Sequence, residues 1–230
     1  MAANEPPGEL IGAGRTADVY AVGGDRVLRR FRTPRDVRGE AELMSYLAQA
    51  GYPVPKVHDA SGTDLVMERL DGRDMLADLG RRPWLVRRHA RTMARLHDQL
   101  HAIPAPAGLP ARFGPGDTVL HLDFHPANVM LTSRGPVVID WTSARAGPAG
   151  ADVAMAYLIM ASSEVDQVSV LVRPLLRSVR ARLVGQFLSS VRDDPKPHLA
   201  AVVRERVKNP HVRPAEAQRL LRMAADDQAS

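Results

Sequence analysis

Three polar side chains, Asp123, Asn128 and Asp140, have the types and spacing that chemistry on a phosphate group requires. The first two fall in His121-Leu-Asp-Phe-His-Pro-Ala-Asn128, and Val-Val-Ile-Asp140 ends twelve residues after Asn128. Carboxamide and carboxylate oxygens are hard ligands that suit Mg²⁺, which prefers to complete its shell with waters and nucleotide phosphates. A nearby carboxylate can take a proton from an attacking hydroxyl, a general-base role that contributes roughly 10²–10⁴-fold in rate. We therefore interpret Asn128 and Asp140 as metal ligands and Asp123 as the base.

A β-hairpin is the element that must position these side chains. Short apolar runs on either side of Ser133-Arg-Gly135 are typical of two strands joined by a glycine-containing turn. We predict a hairpin centred near Arg134, in which positions equally spaced from the tip lie opposite one another. Asn128 and Asp140 would then lie side by side, with Asp123 in the loop just ahead of them.

The same residues carry a resemblance to a known family. The pattern His121-x-Asp123-x-His125-Pro-x-Asn128 followed by Ile139-Asp140-Trp141 resembles the catalytic loop of protein-kinase-like enzymes, and in detail their aminoglycoside phosphotransferase branch. The resemblance covers about residues 9 to 160. It implies that Asp123 is the catalytic base and that Asn128 and Asp140 bind Mg²⁺ together with ATP.

The resemblance also implies a fold. We expect an α+β, bilobal, protein-kinase-like fold in which residues 1–230 form one kinase-like domain. Residues 9–70 would be the N-terminal nucleotide-binding lobe, a small antiparallel sheet with one helix. Residues 71–230 would be a larger, mostly helical lobe that carries catalysis and acceptor binding.

A glycine-containing segment near the N-terminus follows the kinase phosphate-loop pattern. Gly12 and Gly14 stand in Ile11-Gly-Ala-Gly-Arg-Thr-Ala17-Asp-Val-Tyr20, with Ala17 where a third glycine is usual. Small residues let backbone N–H groups approach phosphates closely. The resemblance therefore implies that Gly12 and Gly14 contact the nucleotide, although glycine-rich loops are often plain turns.

We predict one helix in the N-terminal lobe, capped by Thr33-Pro34-x-Asp36 and ending at Gly51. Helical spacing places Glu40 on the buried face and Glu42 towards solvent. The residues predicted to define that face are Val37, Ala41, Met44 and Ala48.

The resemblance makes Glu40 the partner of a strand cation that holds the α- and β-phosphates. The family's lysine is absent, and the matching position is Arg29, with neighbouring Arg30 as a second candidate. Arginine is a planar fork that needs more room than lysine and always stays charged. The alternative is that Arg29 and Glu40 form an ordinary surface pair.

Glu68-Arg-Leu70-Asp-Gly72 matches the family's hinge between the lobes. The match implies that the Glu68 carbonyl and the Leu70 N–H pair with adenine. A strand end followed by an Asp-Gly turn fits the same residues.

The remainder of the chain is predicted to be mainly helical, over about 83–102, from Asp152 onward, and over about 164–191, 197–208 and 213–225. We expect His97 and His101 to be partly buried structural residues. For Asp152 we favour helix capping over contact with substrate.

Composition limits the classes of protein that remain. With 230 residues and 45% hydrophobic residues, the chain can bury a substantial core. No cysteine is available for disulfides or thiolate chemistry, and no run approaches the ~18 apolar residues of a membrane span. We therefore expect a cytoplasmic protein with no membrane partner, whose oligomeric state the sequence leaves open.

The excess of basic residues bears on two kinds of partner, nucleic acid and the acceptor. The net charge is +5, but arginines are scattered and only 4% of residues are aromatic, so we expect no nucleic-acid partner. From Trp141 to Ser230, 13 Lys and Arg residues stand against 9 Asp and Glu, a net charge of +4. A small hydroxylated acceptor that is neutral or anionic fits this region at least as well as a polycationic aminoglycoside. A local pocket of Asp193, Asp194 and Glu205 would reverse that preference.

Two other functions compete with a Mg²⁺- and ATP-dependent phosphotransferase. A zinc hydrolase would use His121, Asp123 and His125 as alternate-residue ligands, but it would leave Asn128 and Asp140 without roles. His121 is better read as a brace of the loop, and His125 as shaping its turn or lying near a phosphate. A pseudokinase, a nucleotide-binding scaffold without turnover, is favoured by Arg29 and Ala17 and opposed by the intact set of Asp123, Asn128 and Asp140.

Overall fold

The chain divides into two compact units. A computed structural model describes residues 8–14, 16–162, 172–208, 212 and 214–228. The first unit is Met1–Arg73 with Val129–Thr142, and the second is Asp74–Asn128 with Ser143–Ser230. The first unit thus takes in a hairpin that the sequence interpretation assigned to the C-terminal lobe.

The first unit is built on a five-stranded antiparallel sheet. Its strands are β1 (Leu10–Ala13), β2 (Ala17–Ala21), β3 (Arg26–Phe31), β4 (Val57–Ser61) and β5 (Asp64–Glu68), in the order β1-β2-β3-β5-β4. Alternating side chains on each strand put one set against the core and the other towards solvent. On β3, Arg29 pairs with Leu65 of β5 while the next residue, Arg30, pairs with Asp64, so the two arginines lie on opposite faces.

Among the described residues of this unit, one α-helix, α1, spans Arg38–Gln49. The predicted cap is wrong: the N-cap is Val37, without a side-chain cap bond, and Thr33-Pro34 precede the helix. The Val37 N–H donates to the Gly62 carbonyl at 3.1 Å, which holds this segment outside the helix. The predicted end is confirmed, since Gly51 follows the C-cap with φ +80°.

The buried face of α1 includes Glu40 and leaves Glu42 exposed, as predicted. Ala48, which the helical spacing predicts on that face, is exposed. The face is therefore rotated towards the Glu40 side of the helix, and its residues are Glu40, Ala41, Leu43, Met44 and Leu47.

The predicted hairpin consists of β8 (Val129–Thr132) and β9 (Gly135–Val138). Val129 pairs with Val138 and Thr132 with Gly135, so the tip is Ser133-Arg134. The centre of the hairpin thus lies between Ser133 and Arg134. The predicted pairing, which assumed a centre at Arg134, is therefore shifted by one residue on one strand. Gly135 has φ +111°, a conformation that glycine adopts without strain.

The segment after β5 is fitted closely to this hairpin. Both oxygens of Asp71 lie 3.3 Å from the Ser133 N–H at the tip. Gly72 has φ +95°, and a Cβ added there would lie 2.0 Å from the Leu131 carbonyl oxygen. Only glycine can occupy position 72 without a shift of the backbone.

The second unit is mainly helical. The two-residue strand β6 (Arg73–Asp74) leads into it, and β7 (Thr118–Leu120) pairs with β10 (Arg145–Gly147). Single 3₁₀ turns cover Pro83–Leu85, Pro126–Asn128 and Lys196–His198. The helices are α2 (Met75–Arg81), α3 (Val86–His101), α4 (Ala149–Ser162), α5 (Arg173–Leu188), α6 (Leu199–Arg206) and α7 (Pro214–Gln228).

These bounds confirm the predicted helices, except that the start of the one expected over 164–191 lies outside the described residues. Helix α4 is buried nearly all round, as its apolar sequence requires. It forms the centre of a core with β7, α6 and α7 that contains Leu120, Ala154, Leu158, Val202 and Leu220. Among the described residues, no helix combines the length and apolar character needed to cross a membrane.

Candidate functional site

In the first unit, Arg29 joins side chains from the sheet, the helix and the end of the hairpin. Its Nη1 donates to Glu40 Oε1 at 2.8 Å, and its Nη2 donates to Asp140 Oδ1 at 2.7 Å and to Thr142 Oγ1 at 3.1 Å. The Thr142 hydroxyl donates to the other oxygen of Glu40 at 3.1 Å. The expected Arg29–Glu40 pair is therefore present, and it is extended to a cluster that includes Asp140. The role of Thr142 had no signal in the sequence.

Burial sets the electrostatics of this cluster. Loss of solvent raises the pKa of the Glu40 carboxyl above its ordinary value, and neighbouring Asp140 adds to the rise, while Arg29 opposes it. The Arg29 guanidinium also lies 4.6 Å from the ring centre of Phe31. Arg30 is turned away and forms a bidentate pair with Asp64 at 2.6 and 2.8 Å, so it is not the occupant of this cluster.

Asp140 has an unusual backbone. Its φ is +66°, which residues other than glycine adopt rarely and which is enriched at functional sites. The next residue, Trp141, is buried and donates from Nε1 to the Val138 carbonyl at 3.2 Å. Its ring packs edge-on against Tyr52, with ring centres 5.7 Å apart. These contacts of Trp141 hold the chain in the turn that directs the Asp140 carboxylate to Arg29.

Gly12 and Gly14 lie at the end of β1. The Gly14 N–H donates to the Ala17 carbonyl at 2.8 Å, and a Cβ added at Gly14 would lie 3.0 Å from that oxygen. At Gly12 an added Cβ would make only an ordinary contact with Val19, at 3.7 Å. The tight turn thus favours glycine at position 14, and a contact of either residue with phosphate stays a prediction.

Glu68 ends β5, where its side chain has structural partners. Its Oε2 accepts from the Lys56 N–H at 3.0 Å and from Arg134 Nη2 at 2.7 Å. Its own N–H donates to the Lys56 carbonyl at 2.8 Å. These bonds fix the strand end that precedes Leu70. Recognition of adenine by the Glu68 carbonyl and the Leu70 N–H stays a prediction.

In the second unit, Asn128 holds Asp123. Asn128 Nδ2 donates to the Asp123 carbonyl at 2.9 Å and to its carboxylate Oδ2 at 3.2 Å. Because the amide is planar, the carboxamide oxygen is turned away from that carboxylate. The Asp123 N–H donates to His121 Nδ1 at 3.2 Å, so His121 braces the loop as expected.

His125 shapes the turn between these residues. Its carbonyl accepts from the Asn128 N–H at 2.9 Å, and its Nδ1 accepts from the Ala127 N–H at 3.3 Å. Its Nε2 lies 3.7 Å from Asp123 Oδ1. In the part of the chain that the structure describes, the group of side chains close enough to hold one metal ion includes neither His121 nor His125.

Asp152 holds the backbone of the loop that carries Asp123. The capping role predicted for Asp152 is wrong. Its side chain is fully buried, and Oδ1 accepts from the Leu122 N–H at 2.7 Å while Oδ2 accepts from the His121 N–H at 2.9 Å. Leu122 has φ +60°. The signal for this role was an acidic residue in an otherwise apolar helix, because a buried carboxylate needs partners.

His101 lies between two carboxylates, with Nε2 3.2 Å from Asp152 and Nδ1 2.8 Å from Asp193. Burial disfavours charge on its imidazole, but the hydrogen bonds to both carboxylates outweigh burial and raise the pKa of His101 to about 9. Burial likewise works against the Asp152 carboxylate, yet His101 and the neighbouring imidazoles hold its pKa well below the usual range.

The predicted site residues therefore assemble in two sets. Arg29, Glu40 and Asp140 meet in the first unit, and Asp123 and Asn128 meet in the second. The predicted neighbourhood of Asn128 and Asp140 joins residues of different units and stays a prediction.

Solved structures with a protein-kinase-like fold are similar to this chain. The ADP-bound aminoglycoside phosphotransferase APH(2'')-Ib has a TM-score of 0.60 and 13% identity, over 96% of this chain and 94% of that one. The streptomycin–ATP complex of APH(2'')-IIa has a TM-score of 0.59 and 13% identity, over 96% of this chain and 93% of that one. A choline/ethanolamine kinase family protein from Mesorhizobium loti has a TM-score of 0.57 and 16% identity, over 99% of this chain and 89% of that one. The expected α+β kinase-like fold is thus confirmed.

A search of curated proteins found no match to this chain. The model of the phosphotransferase enzyme family (APH), by contrast, matches residues 8–117 and 114–188, well over half of the sequence. The chain belongs to the phosphotransferase enzyme family.

Proposed function

We propose that this protein transfers the γ-phosphate of ATP, bound with Mg²⁺, to a hydroxyl group of a small molecule. One observation carries the proposal. A single guanidinium, that of Arg29, bonds to both the helix carboxylate Glu40 and the hairpin carboxylate Asp140. Membership of the phosphotransferase enzyme family supports the same reaction class.

Arg29 is suited to the α- and β-phosphates by its chemistry. Guanidinium forms bidentate, charge-assisted hydrogen bonds with phosphate and keeps its charge at any physiological pH. Glu40 fixes one Nη group of Arg29 from the buried side of α1. The other Nη group donates to Asp140, whose side chain is 37% exposed, so a phosphate oxygen is expected to share or replace that contact.

Asn128 and Asp140 would hold Mg²⁺. Their side chains supply carboxamide and carboxylate oxygens, the hard donors that Mg²⁺ prefers. When bound, the ion neutralises charge on the β- and γ-phosphates. The positive φ of Asp140 and the Nδ2 bonds of Asn128 to Asp123 are the features of each residue that would orient these oxygens.

Asp123 would act as the base. Its carboxylate is oriented by Asn128 and its backbone by His121. As the acceptor oxygen bonds to the γ-phosphorus, the bond from phosphorus to the bridging oxygen of ADP breaks and the hydroxyl proton passes to Asp123. ADP and the phosphorylated acceptor are the products, with no covalent enzyme intermediate. Adenine would pair with the Glu68 carbonyl and the Leu70 N–H.

The acceptor is proposed to be neutral or anionic. The three residues that would form an acidic pocket for a polycation each have a partner among the described residues, which makes them less available to a cationic acceptor. Asp193 bonds to His101, Asp194 accepts from the Lys196 N–H at 3.0 Å, and Glu205 pairs with Arg112 and Lys208. The region from residue 141 onward keeps its net charge of +4.

Calorimetric titration with a non-hydrolysable ATP analogue, with and without Mg²⁺, tests the nucleotide site. We expect Mg²⁺-dependent binding that Asp140→Ala abolishes. ADP release is then measured with hydroxylated acceptors, including aminoglycosides, choline and sugars. Full Mg²⁺-dependent binding by Asp140→Ala would refute the proposed metal site.

A nucleotide-binding scaffold without turnover is the second candidate. Arg29 and Ala17, which stand where the family has a lysine and a third glycine, favour it. Release of ADP by the wild type, rather than nucleotide binding, separates the two functions. An active phosphotransferase should release ADP in the wild type with a suitable acceptor. A scaffold should bind nucleotide without releasing ADP, in the wild type and in Arg29→Lys alike.

A further inference from the structure

His97 is a buried polar side chain that the proposed reaction does not use. It lies on α3, is 0% exposed, and neither of its ring nitrogens has a hydrogen-bond partner among the described residues. Aromatic rings pack against it edge-on, those of Phe124 at 4.2 Å and Phe187 at 5.3 Å between centres. A buried imidazole without a partner destabilises the folded state unless something binds it.

The atoms that can bind a metal converge around His97. One ligand atom each from His97, His101 and Asp152 lie within 4.8 Å of one another. His97 and His101 are four residues apart on α3, so they occupy the same face of the helix one turn apart. The ring centres of the two imidazoles are 5.1 Å apart. Two imidazoles and a carboxylate form a donor set typical of zinc.

Two of these ligands already have the supporting contacts that metal sites require. Asp193 lies 2.8 Å from His101 Nδ1, which leaves Nε2 directed at Asp152 Oδ2. A bound ion would replace the proton that Nε2 shares with Asp152, and that proton would be released to solvent. A carboxylate on the second nitrogen of a histidine fixes the ring and makes it a better metal ligand. Asp152 is itself held by the Leu122 N–H on Oδ1.

We propose that His97, His101 and Asp152 form a site for one divalent transition-metal ion of the zinc class. Around tetrahedral zinc, nitrogen and oxygen ligands stand ~3.4 Å apart. His101 Nε2 and Asp152 Oδ2 are already 3.2 Å apart, so the main movement required is that of the His97 ring towards them. His97 can make that movement because no hydrogen bond holds its ring. Mg²⁺ is excluded as the occupant, since it prefers oxygen ligands and retains its waters.

The site has a consequence for the loop that carries Asp123. Asp152 is bonded to the backbone N–H groups of His121 and Leu122, one and two residues before Asp123. An ion that fixes Asp152 would therefore stabilise this loop without touching a substrate. The site is distinct from Asn128 and Asp140, which are proposed to bind Mg²⁺.

The test uses untagged full-length protein treated with a chelator and then titrated with Zn²⁺ or Co²⁺. We expect one equivalent of zinc by elemental analysis, visible absorption from tetrahedral Co²⁺, and a higher melting temperature with Zn²⁺ but not with Mg²⁺. His97→Leu should abolish all three responses. This variant should fold, because leucine replaces an imidazole that has no polar partner among the described residues.

Two controls decide where any zinc binds. His89→Gln removes another buried histidine of α3, bonded to Asp78, and should keep the zinc response. His125→Ala removes a histidine of the catalytic loop and should also keep it. Absence of a one-equivalent response in the wild type would overturn the proposal. So would an unchanged response in His97→Leu, or one lost only in His125→Ala.

Discussion

Asp140 and Asp152, each a carboxylate in a charged cluster, differ in how deeply they are buried and in what they bind. In the first unit, the Asp140 side chain is 37% exposed and bonds to a side chain, that of Arg29. In the second unit, Asp152 is fully buried and bonds to two backbone N–H groups as well as to His101. Partners of an exposed carboxylate can be exchanged for a ligand at small cost. A buried carboxylate cannot lose a partner without a replacement, because a charge left unpaired there is strongly destabilising.

This difference indicates that one cluster is suited to binding nucleotide and the other to positioning the loop that carries Asp123. The Arg29 cluster contains the residues expected to meet nucleotide, and its contacts are side-chain contacts that phosphate and metal can rearrange. The Asp152 cluster meets no substrate in the proposed reaction and instead fixes the backbone just before Asp123. Mutations in the two clusters should accordingly affect different quantities.

The largest effect is expected from Asp152→Ala, which removes the buried carboxylate of the second unit. The change removes the acceptor of two loop N–H groups and leaves His101 with one carboxylate, so we expect a loss of about 3–5 kcal/mol in the free energy of unfolding. Urea denaturation measures it. Asp71→Ala is the control, since Asp71 is exposed and accepts one backbone N–H, and it should lose about 1 kcal/mol or less. Equal losses in the two variants would contradict the anchoring role of Asp152.

Asp123→Asn should reduce turnover by roughly 10²–10⁴-fold, because asparagine cannot accept the acceptor's proton. Affinity for the ATP analogue and the free energy of unfolding should change little. Steady-state kinetics with an acceptor found in the screen, together with calorimetry, give both quantities. Asp98→Asn, on α3 where Asp98 accepts from the Arg192 N–H, should retain turnover. Unchanged turnover in Asp123→Asn would remove Asp123 as the base.

Arg29→Gln tests the cluster that contains Asp140. Loss of charge-assisted bonds to phosphate should weaken binding of Mg²⁺ and the ATP analogue by roughly 10-fold or more. Arg30→Gln is a matched control, because Arg30 is adjacent on β3 and also pairs with a buried carboxylate, Asp64. It should bind the analogue as the wild type does. If the two variants weaken binding equally, Arg29 has no specific role with phosphate.

The smallest effect is a pH dependence of stability in chelator-treated protein. The pKa of His101, about 9, is above its ordinary value of 6.5, so its contribution is complete below pH 6.5 and is lost as pH rises towards 9. Burial lowers the pKa of His97 to about 3, so its neutral form contributes above pH 6.5 and that contribution is lost as pH falls. Stability should peak near pH 6.5.

Urea midpoints measured from pH 4 to 9.5 check this profile. His101→Gln should remove the decline on the alkaline side, while His97→Leu should reduce the decline on the acidic side. An alkaline decline that persists in His101→Gln would assign it to other groups.

Local patterns predicted much of the fold and some of the contacts in the site, among them the Arg29–Glu40 pair. The apolar runs around Ser133-Arg-Gly135 were sufficient to predict a hairpin, and helical spacing placed Glu40 inside and Glu42 outside. The register and the cap were not predicted. The position of the hairpin tip depends on half a residue of turn geometry, and the start of α1 depends on a bond from Val37 to the distant Gly62.

The sequence by itself determined the family, the kinase-like fold and the identity of the polar residues, because these depend on residue type and spacing along the chain. Only the tertiary structure decided that Arg29 rather than Arg30 meets Glu40, that Thr142 joins them, and that Asp152 supports the loop. It also brought His97 within reach of His101 and Asp152. The physical reason is that burial and partners join positions up to 113 residues apart, as in the Arg29–Thr142 bond, and no local pattern encodes such contacts.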